Sequence, residues 1–144
     1  MITTSGATSN KNLQTILLLQ KKAIRIILNL NNSDSVKEHF SKLGIITVYG
    51  LYVLDTIVLY KMSEDSHPKL GSYHNYNTRN KHIPAIDRHS LKLYRNKPSF
   101  AGVHFYNKIP QTLHSVPKLS TFKNQLKSYL ISRALYSFDE LDNN

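Results

Sequence analysis

The stretch between Lys69 and Lys108 combines cationic and aromatic side chains, which is the chemistry of a nucleic-acid contact. It holds eight Lys and Arg residues, and Asp87 is its one acid. Cations neutralise phosphates and release their counterions, and flat rings stack on unpaired bases with little regard to sequence. Within the stretch, YHNYNTR at 73–79 adds amide and hydroxyl groups that can bond phosphate, sugar or base edges. The sequence therefore predicts a segment that lies along RNA or single-stranded DNA.

A smaller group of cations occurs on the first predicted helix, and we expect it to face the same ligand. The predicted contact residues are Lys21, Lys22, Arg25, Tyr73, His74, Tyr76, Arg79, Lys81, Arg88, Lys92, Arg95 and Lys97. Tyrosine and histidine also anchor irregular loops to a core, because each has an apolar body and a polar tip. For any single residue, that structural role is the competing interpretation.

The overall charge supports a polyanionic partner. Nineteen Lys and Arg residues oppose nine Asp and Glu residues, which gives a formal net charge of +10. Such a field attracts nucleic acid, with an anionic membrane surface as the alternative. The longest apolar run, residues 16–19, is too short to span a bilayer, and the polar opening MITTSGATSNKN lacks the apolar core of a secretory signal. We therefore expect an intracellular protein of the nucleus or cytoplasm, without a membrane partner or a small-molecule substrate.

Catalytic and metal-binding patterns are missing from the sequence. Polymerisation needs clustered aspartates that hold two metal ions, and no Asp-Asp pair occurs. His67, His74, His82 and His89 are seven or eight residues apart, but prolines interrupt the stretch and no HExxH motif is present. The absence of cysteine excludes disulfides, thiolate zinc sites and thiol catalysis. We predict no enzyme, no metal and no cofactor.

The hydrophobic pattern predicts a mainly α fold in one domain. The expected architecture is a bundle of four to five helices, with a long irregular basic loop between the third helix and the C-terminal helices. The predicted helices are 13–30, 34–43, 48–62, a brief one that ends at Pro110, and 120–135. The predicted domain is 11–135, between a flexible N-terminus at 1–10 and an acidic tail at 136–144 that we expect to fray. Short strands within the loop, such as 90–94, are an alternative.

The helix ends and inward faces follow from the same pattern. Ser35 and Glu38 predict a capping box, Gly44 a helix stop, and Ser120 an N-cap. The residues expected to face inward from the first helix are Leu13, Ile16, Leu17, Ala23, Ile24, Ile27 and Leu30. Those from the last helix are Leu119, Phe122, Leu126, Tyr129 and Leu130. The helix at 48–62 is apolar nearly all round, which predicts burial between other elements.

Five stretches resemble a known family. They are LLQKKAIRIIL (18–28), HFSKLGIITV (39–48), HNYNTR (74–79), FYNKIP (105–110) and LSTFKNQLKSYL (119–130). In this order and spacing they are similar to the region that follows the polymerase core in jockey-like non-LTR retrotransposon reverse transcriptases. The resemblance covers about residues 13–130. Family members tend to have Trp-Gly just before the first helix, where this chain has Ser5-Gly6. They also tend to have Trp-Asn-x-x-Pro at the position where this chain has YNKIP, residues 106–110.

The resemblance implies RNA and DNA partners, and the polymerase core as a further partner. It places 13–30 near the polymerase thumb, with Lys21, Lys22 and Arg25 facing a duplex, and the rest in a C-terminal extension without an assigned reaction. The leading hypothesis is a noncatalytic nucleic-acid-binding fragment, from a truncated or domesticated copy. One alternative is a structural or protein-interaction module that packs on the polymerase thumb through faces that include Leu51, Val58, Phe122 and Leu126. The other is a nonfunctional relic.

Overall fold

The computed structural model describes residues 10–64, 69–72, 76–79, 81–82, 85 and 98–141, and their fold is mainly helical. The helices are α1 (Asn10–Leu28), α2 (Lys37–Lys42), α3 (Val48–Met62), α4 (Pro98–Tyr106), α5 (Gln111–His114) and α6 (Leu119–Arg133). Two 3-10 turns lie at Leu70–Ser72 and Asp139–Leu141. No strand occurs in these ranges, so the predicted α class is confirmed. The predicted strand at 90–94 lies outside them, as does the predicted flexible N-terminus apart from Asn10, which begins α1.

Helix α3 is the centre of the fold, as its all-round apolar sequence predicted. It packs against α1, α4 and α6, and Val53 and Ile57 are fully buried. The contact with α4 is close because Gly102 has no side chain. A Cβ at that position would lie 2.6 Å from the Thr56 carbonyl oxygen and 2.8 Å from the Tyr60 Cβ. The two backbones can meet at this distance only where one residue lacks a Cβ.

The start of α3 is fixed by two side chains that the sequence reading missed. The Thr47 hydroxyl accepts a hydrogen bond from the Gly50 N–H at 3.1 Å and forms the N-cap. The Gln20 amide, on α1, accepts from the Val48 N–H at 2.9 Å and donates to the Ile46 carbonyl at 3.1 Å. Together these bonds satisfy N–H groups that a helix start leaves without intrahelical partners, and they join α1 to α3.

Two predicted helix starts are wrong. The capping box is absent, because Val36 is the N-cap of α2, no side chain caps it, and Glu38 instead pairs with Lys42 at 3.4 Å. Val36 is only 2% exposed, so its burial in the core delays the start of α2 to residue 37. Ser120 lies inside the first turn of α6, whose N-cap is Lys118. In both cases the tertiary position of the chain outweighs the local preference of serine for a cap.

The ends of α1 and α2 follow the predicted polar and glycine stops. Asn29 has φ +51°, and the following N–H, of Leu30, donates to the Arg25 carbonyl at 2.9 Å. Gly44 has φ +66°, and the N–H of Ile45 donates to the Phe40 carbonyl at 2.8 Å. Both ends are Schellman motifs, in which a left-handed residue turns the chain away from the helix axis.

The described part of the predicted tail is packed, so the expectation that it frays is wrong for residues 136–141. The Phe138 ring lies 5.0 Å from that of Tyr49 and 5.3 Å from that of Phe105, centroid to centroid. Tyr136 contacts Phe40 edge-on at 5.9 Å, and Leu141 is 1% exposed. The prediction relied on the acidic residues of DELDNN and did not consider the apolar residues Tyr136, Phe138 and Leu141, which anchor this segment.

The inward faces of the first and last helices are only partly as predicted. Leu13, Leu17 and Ile24 are buried, whereas Ile16, Ala23 and Ile27 are exposed, so the prediction for these three is wrong. Helix α1 carries two adjacent apolar sides, and the fold covers one of them. In α6, the predicted Phe122, Leu126 and Leu130 are all fully buried, while Leu119 is exposed.

Candidate nucleic-acid interface

Tyr136 lies under two lysine amines that come from different helices. The Lys21 Nζ, on α1, is 3.8 Å from the centroid of the Tyr136 ring, and the Lys37 Nζ, on α2, is 5.2 Å from it. A ring face attracts cations through its quadrupole, so Tyr136 holds the two amines at one place. Burial, followed by the neighbouring charge of Arg25, lowers the pKa of Lys21 below its ordinary value.

Two arginines complete this group, which we call the Tyr136 cluster: Lys21, Arg25, Lys37, Arg133, Tyr136 and Glu140. The Arg25 Nη2 donates to the Asp34 carbonyl at 3.1 Å, and the Arg133 Nη2 donates to the Glu140 carbonyl at 2.7 Å. The Glu140 carboxylate bonds the Lys37 Nζ at 2.7 Å. Both arginines therefore bond backbone carbonyls, and Glu140, the one acid of the cluster, pairs through its carboxylate with Lys37.

A shallow groove of about 320 Å³ between α2 and α6 adjoins the cluster. Its lining residues are Lys37, Glu38, Ser41, Lys42, Ser132, Arg133 and Ala134. The Lys42–Glu38 pair in it is 3.4 Å long and mostly exposed, so water and salt screen it and it neutralises little. Three cations and two hydroxyls consequently border one opening, which is a set that can bind phosphate oxygens.

In the structure, the predicted contact residues of α1 and those of the basic loop lie at different places. Lys21 and Arg25 belong to the Tyr136 cluster, while Lys22 is exposed. Tyr76 and Arg79 are exposed outside that cluster, and the Lys81 carbonyl accepts from the Gly71 N–H at 3.0 Å. The predicted contacts outside the described residues are Tyr73, His74, Arg88, Lys92, Arg95 and Lys97.

The sequence reading missed Lys37, Lys42, Arg133 and Tyr136 as candidate contacts. Lys37 and Glu140, which pair in the structure, are 103 residues apart. No spacing rule joins positions that far apart. The available signal was the run of cations without an acid on α1, which the prediction did use.

A second polar cluster, between α3, α4 and α5, is structural. The Lys61 Nζ bonds the Glu64 carboxylate at 2.6 Å and donates to the Tyr106 hydroxyl at 3.3 Å. The Tyr106 ring stacks on His114 at 4.3 Å between centroids, and burial lowers the pKa of His114. Burial and then the charge of Glu64 raise the pKa of Tyr60. These shifts favour a neutral imidazole and neutral phenols, which pack between the helices.

The described residues offer neither a metal site nor a membrane-spanning helix. Within residues 10–64, the short loop pieces and 98–141, no group of three or more His, Cys, Asp or Glu side chains is placed to hold a metal ion. In the same ranges, no helix has the length and hydropathy to cross a bilayer. Comparison with family models, with curated proteins and with solved structures finds no match to this chain.

Proposed function

We propose that this chain is the noncatalytic, nucleic-acid-binding region that follows the polymerase core in a jockey-like non-LTR retrotransposon reverse transcriptase. Its ligand is RNA or single-stranded DNA. The family part of the proposal rests on the five ordered stretches between residues 13 and 130. The binding part rests on the Tyr136 cluster, to which α1, α2 and α6 contribute four cations, one of which, Lys37, pairs with the Glu140 carboxylate.

The electrostatics of the cluster favour a phosphate ligand. Burial, and then repulsion from the neighbouring charge of Arg25, lowers the pKa of Lys21, so positive groups within the cluster raise one another's energy. A phosphodiester beside them would relieve this repulsion and release counterions from the nucleic acid. The α2–α6 groove extends the same surface by Lys42 and two hydroxyls. Tyr76 and Arg79, both exposed outside the cluster, supply one ring and one cation for a separate contact from the loop.

The test is the salt dependence of binding to a single-stranded RNA and to a DNA of the same sequence. Affinity would be measured by fluorescence anisotropy between about 50 and about 200 mM salt, a range over which phosphate contacts dominate the change. Each phosphate contact to a single strand contributes about 0.7 to the slope of log affinity against log salt. Replacing both Lys37 and Lys42 by glutamine should therefore reduce the slope by about 1.4.

In the matched control, glutamine replaces Lys123 and Lys127, two exposed lysines of α6 that do not line the groove. This variant has the same net charge as the test variant, so it separates a defined surface from diffuse attraction. The proposal requires the control slope to remain near that of the parent chain. An equal reduction of the salt slope in both variants, or binding that is independent of salt, would refute the proposed surface.

A further inference from the structure

One side of α1 exposes a row of aliphatic side chains that the fold does not use. We call it the α1 stripe: Ile16 (44% exposed), Leu19 (59%), Ala23 (exposed), Ile26 (80%) and Ile27 (66%). Leu13, Leu17 and Ile24 already anchor the helix in the core through its neighbouring side. Contiguous apolar patches of this kind mark places where another molecule binds.

The spacing of the stripe fits a helix as the bound molecule. Ile16, Leu19, Ala23 and Ile26 follow one another at steps of three, four and three residues, which is the seam of a coiled coil. The small Ala23 near the middle lets a partner backbone come close. An anionic lipid surface is the competing occupant, because basic amphipathic helices with leucine on the apolar side also lie on membranes, but α1 has no Trp or Phe for such an interface.

The charges beside the stripe indicate the character of that helix. Lys22 is three residues after Leu19 and four before Ile26, so it borders the stripe directly. Helix α1 contains four cations and no Asp or Glu. Like charges across a helical seam oppose pairing and opposite charges select the partner. A second copy would bring the same lysine to the seam, and its chain as a whole carries the same net charge of +10.

We propose that the α1 stripe is a docking site for an acidic amphipathic helix of another protein. The partner would place leucine or isoleucine at its a and d positions against the stripe and glutamate beside Lys22. Lys21 and Arg25 lie on another side of α1, in the Tyr136 cluster, so this surface is separate from the proposed nucleic-acid surface. The two proposals can therefore fail independently.

The experiment measures binding of the full chain, without nucleic acid, to two synthetic helical peptides of about three heptads. Both carry Ile at a and Leu at d, and one has Glu at e and g where the other has Lys. Fluorescence anisotropy should give a micromolar Kd for the Glu peptide and at least tenfold weaker binding for the Lys peptide. Replacing Leu19 and Ile26 together by glutamine should weaken binding of the Glu peptide more than tenfold.

Leu18→Gln is the matched control, because Leu18 is 57% exposed on the same helix but lies beyond Lys22, outside the stripe. The affinity of this variant for the Glu peptide should stay within twofold of the affinity of the parent chain. The charge reversal Lys22→Glu should weaken binding of the Glu peptide and strengthen binding of the Lys peptide.

Three results would overturn the proposal. One is equal binding of the two peptides. Another is a dimer in light scattering that the Leu19 and Ile26 replacements abolish, which would make a second copy the occupant. The third is retention on vesicles of anionic lipid that the same replacements abolish, with no peptide binding.

Discussion

The close contact between α3 and α4 predicts that Gly102→Ala destabilises the protein. An alanine Cβ would lie 2.6 Å from the Thr56 carbonyl oxygen and 2.8 Å from the Tyr60 Cβ. Neither atom is the end of a flexible side chain, so the two helices must move apart. Because α3 is the centre of the fold, that movement also disturbs its contacts with the core.

Two opposing effects set the magnitude. Overpacking a well-packed core costs about 1–3 kcal/mol, and a contact with backbone belongs near the upper end. Against this, alanine is favoured over glycine inside a helix by about 1 kcal/mol. The difference is a loss of about 2 kcal/mol in the free energy of unfolding. With a urea m-value of about 1–3 kcal/mol/M, the midpoint should fall by about 1 M.

The assay is urea unfolding followed by circular dichroism, with Gly50→Ala as the control. A Cβ at Gly50 would meet the Ile46 Cγ1 at 3.0 Å and the Thr47 Oγ1 at 3.3 Å, and the isoleucine can move aside. Gly50→Ala should therefore change the midpoint little or raise it. The reasoning fails if Gly102→Ala is as stable as the parent chain, or if both variants lose the same stability.

Two further predictions concern the hydrogen bonds of α1 and the buried histidine. Gln20→Ala removes the partners of the Val48 N–H and the Ile46 carbonyl, so unfolding by urea should show a loss of about 1–3 kcal/mol, whereas Gln14→Ala on the exposed side should lose little. Burial lowers the pKa of His114 below 6.5, so the unfolded chain binds the proton more readily and stability should decline as the pH falls below about 6.5. The urea midpoint measured at several pH values should show this decline, and His114→Gln should reduce it; an unchanged slope in that variant would assign the decline to other groups.

The sequence predicted an element correctly where its residue pattern was compatible with a single structural environment. Helix α3 was predictable because apolar residues on every side leave burial as its sole stable environment. Gly44 was predictable because a left-handed residue after a helix favours glycine. On α1, however, two adjacent apolar sides both satisfy a 3.6-residue period. Periodicity alone could not distinguish the side that packs, with Leu17, from the side that is exposed, with Ile26.

The candidate site was less predictable because its parts meet through tertiary structure. The lysines of α1 were visible as a cationic run, but their neighbours Lys37, Arg133 and Tyr136 belong to distant segments. Local rules also failed where burial opposed them, as at Ser35, which lost its cap when Val36 entered the core. A side-chain cap contributes about 1 kcal/mol, which is less than the free energy gained by burying an aliphatic side chain. Packing therefore decides where such a helix begins.

The return of residues 136–141 to α2 and α3 has a consequence for biosynthesis. Lys37 and Glu140 are separated by 103 residues, so at ribosomal rates of about 5–20 residues per second roughly 5–20 s pass between their incorporation. During that interval the nascent polypeptide has α1 and α2 but lacks Tyr136, which gathers their lysines. The cationic surface is thus completed only after the described helices α1 to α6 have been synthesised.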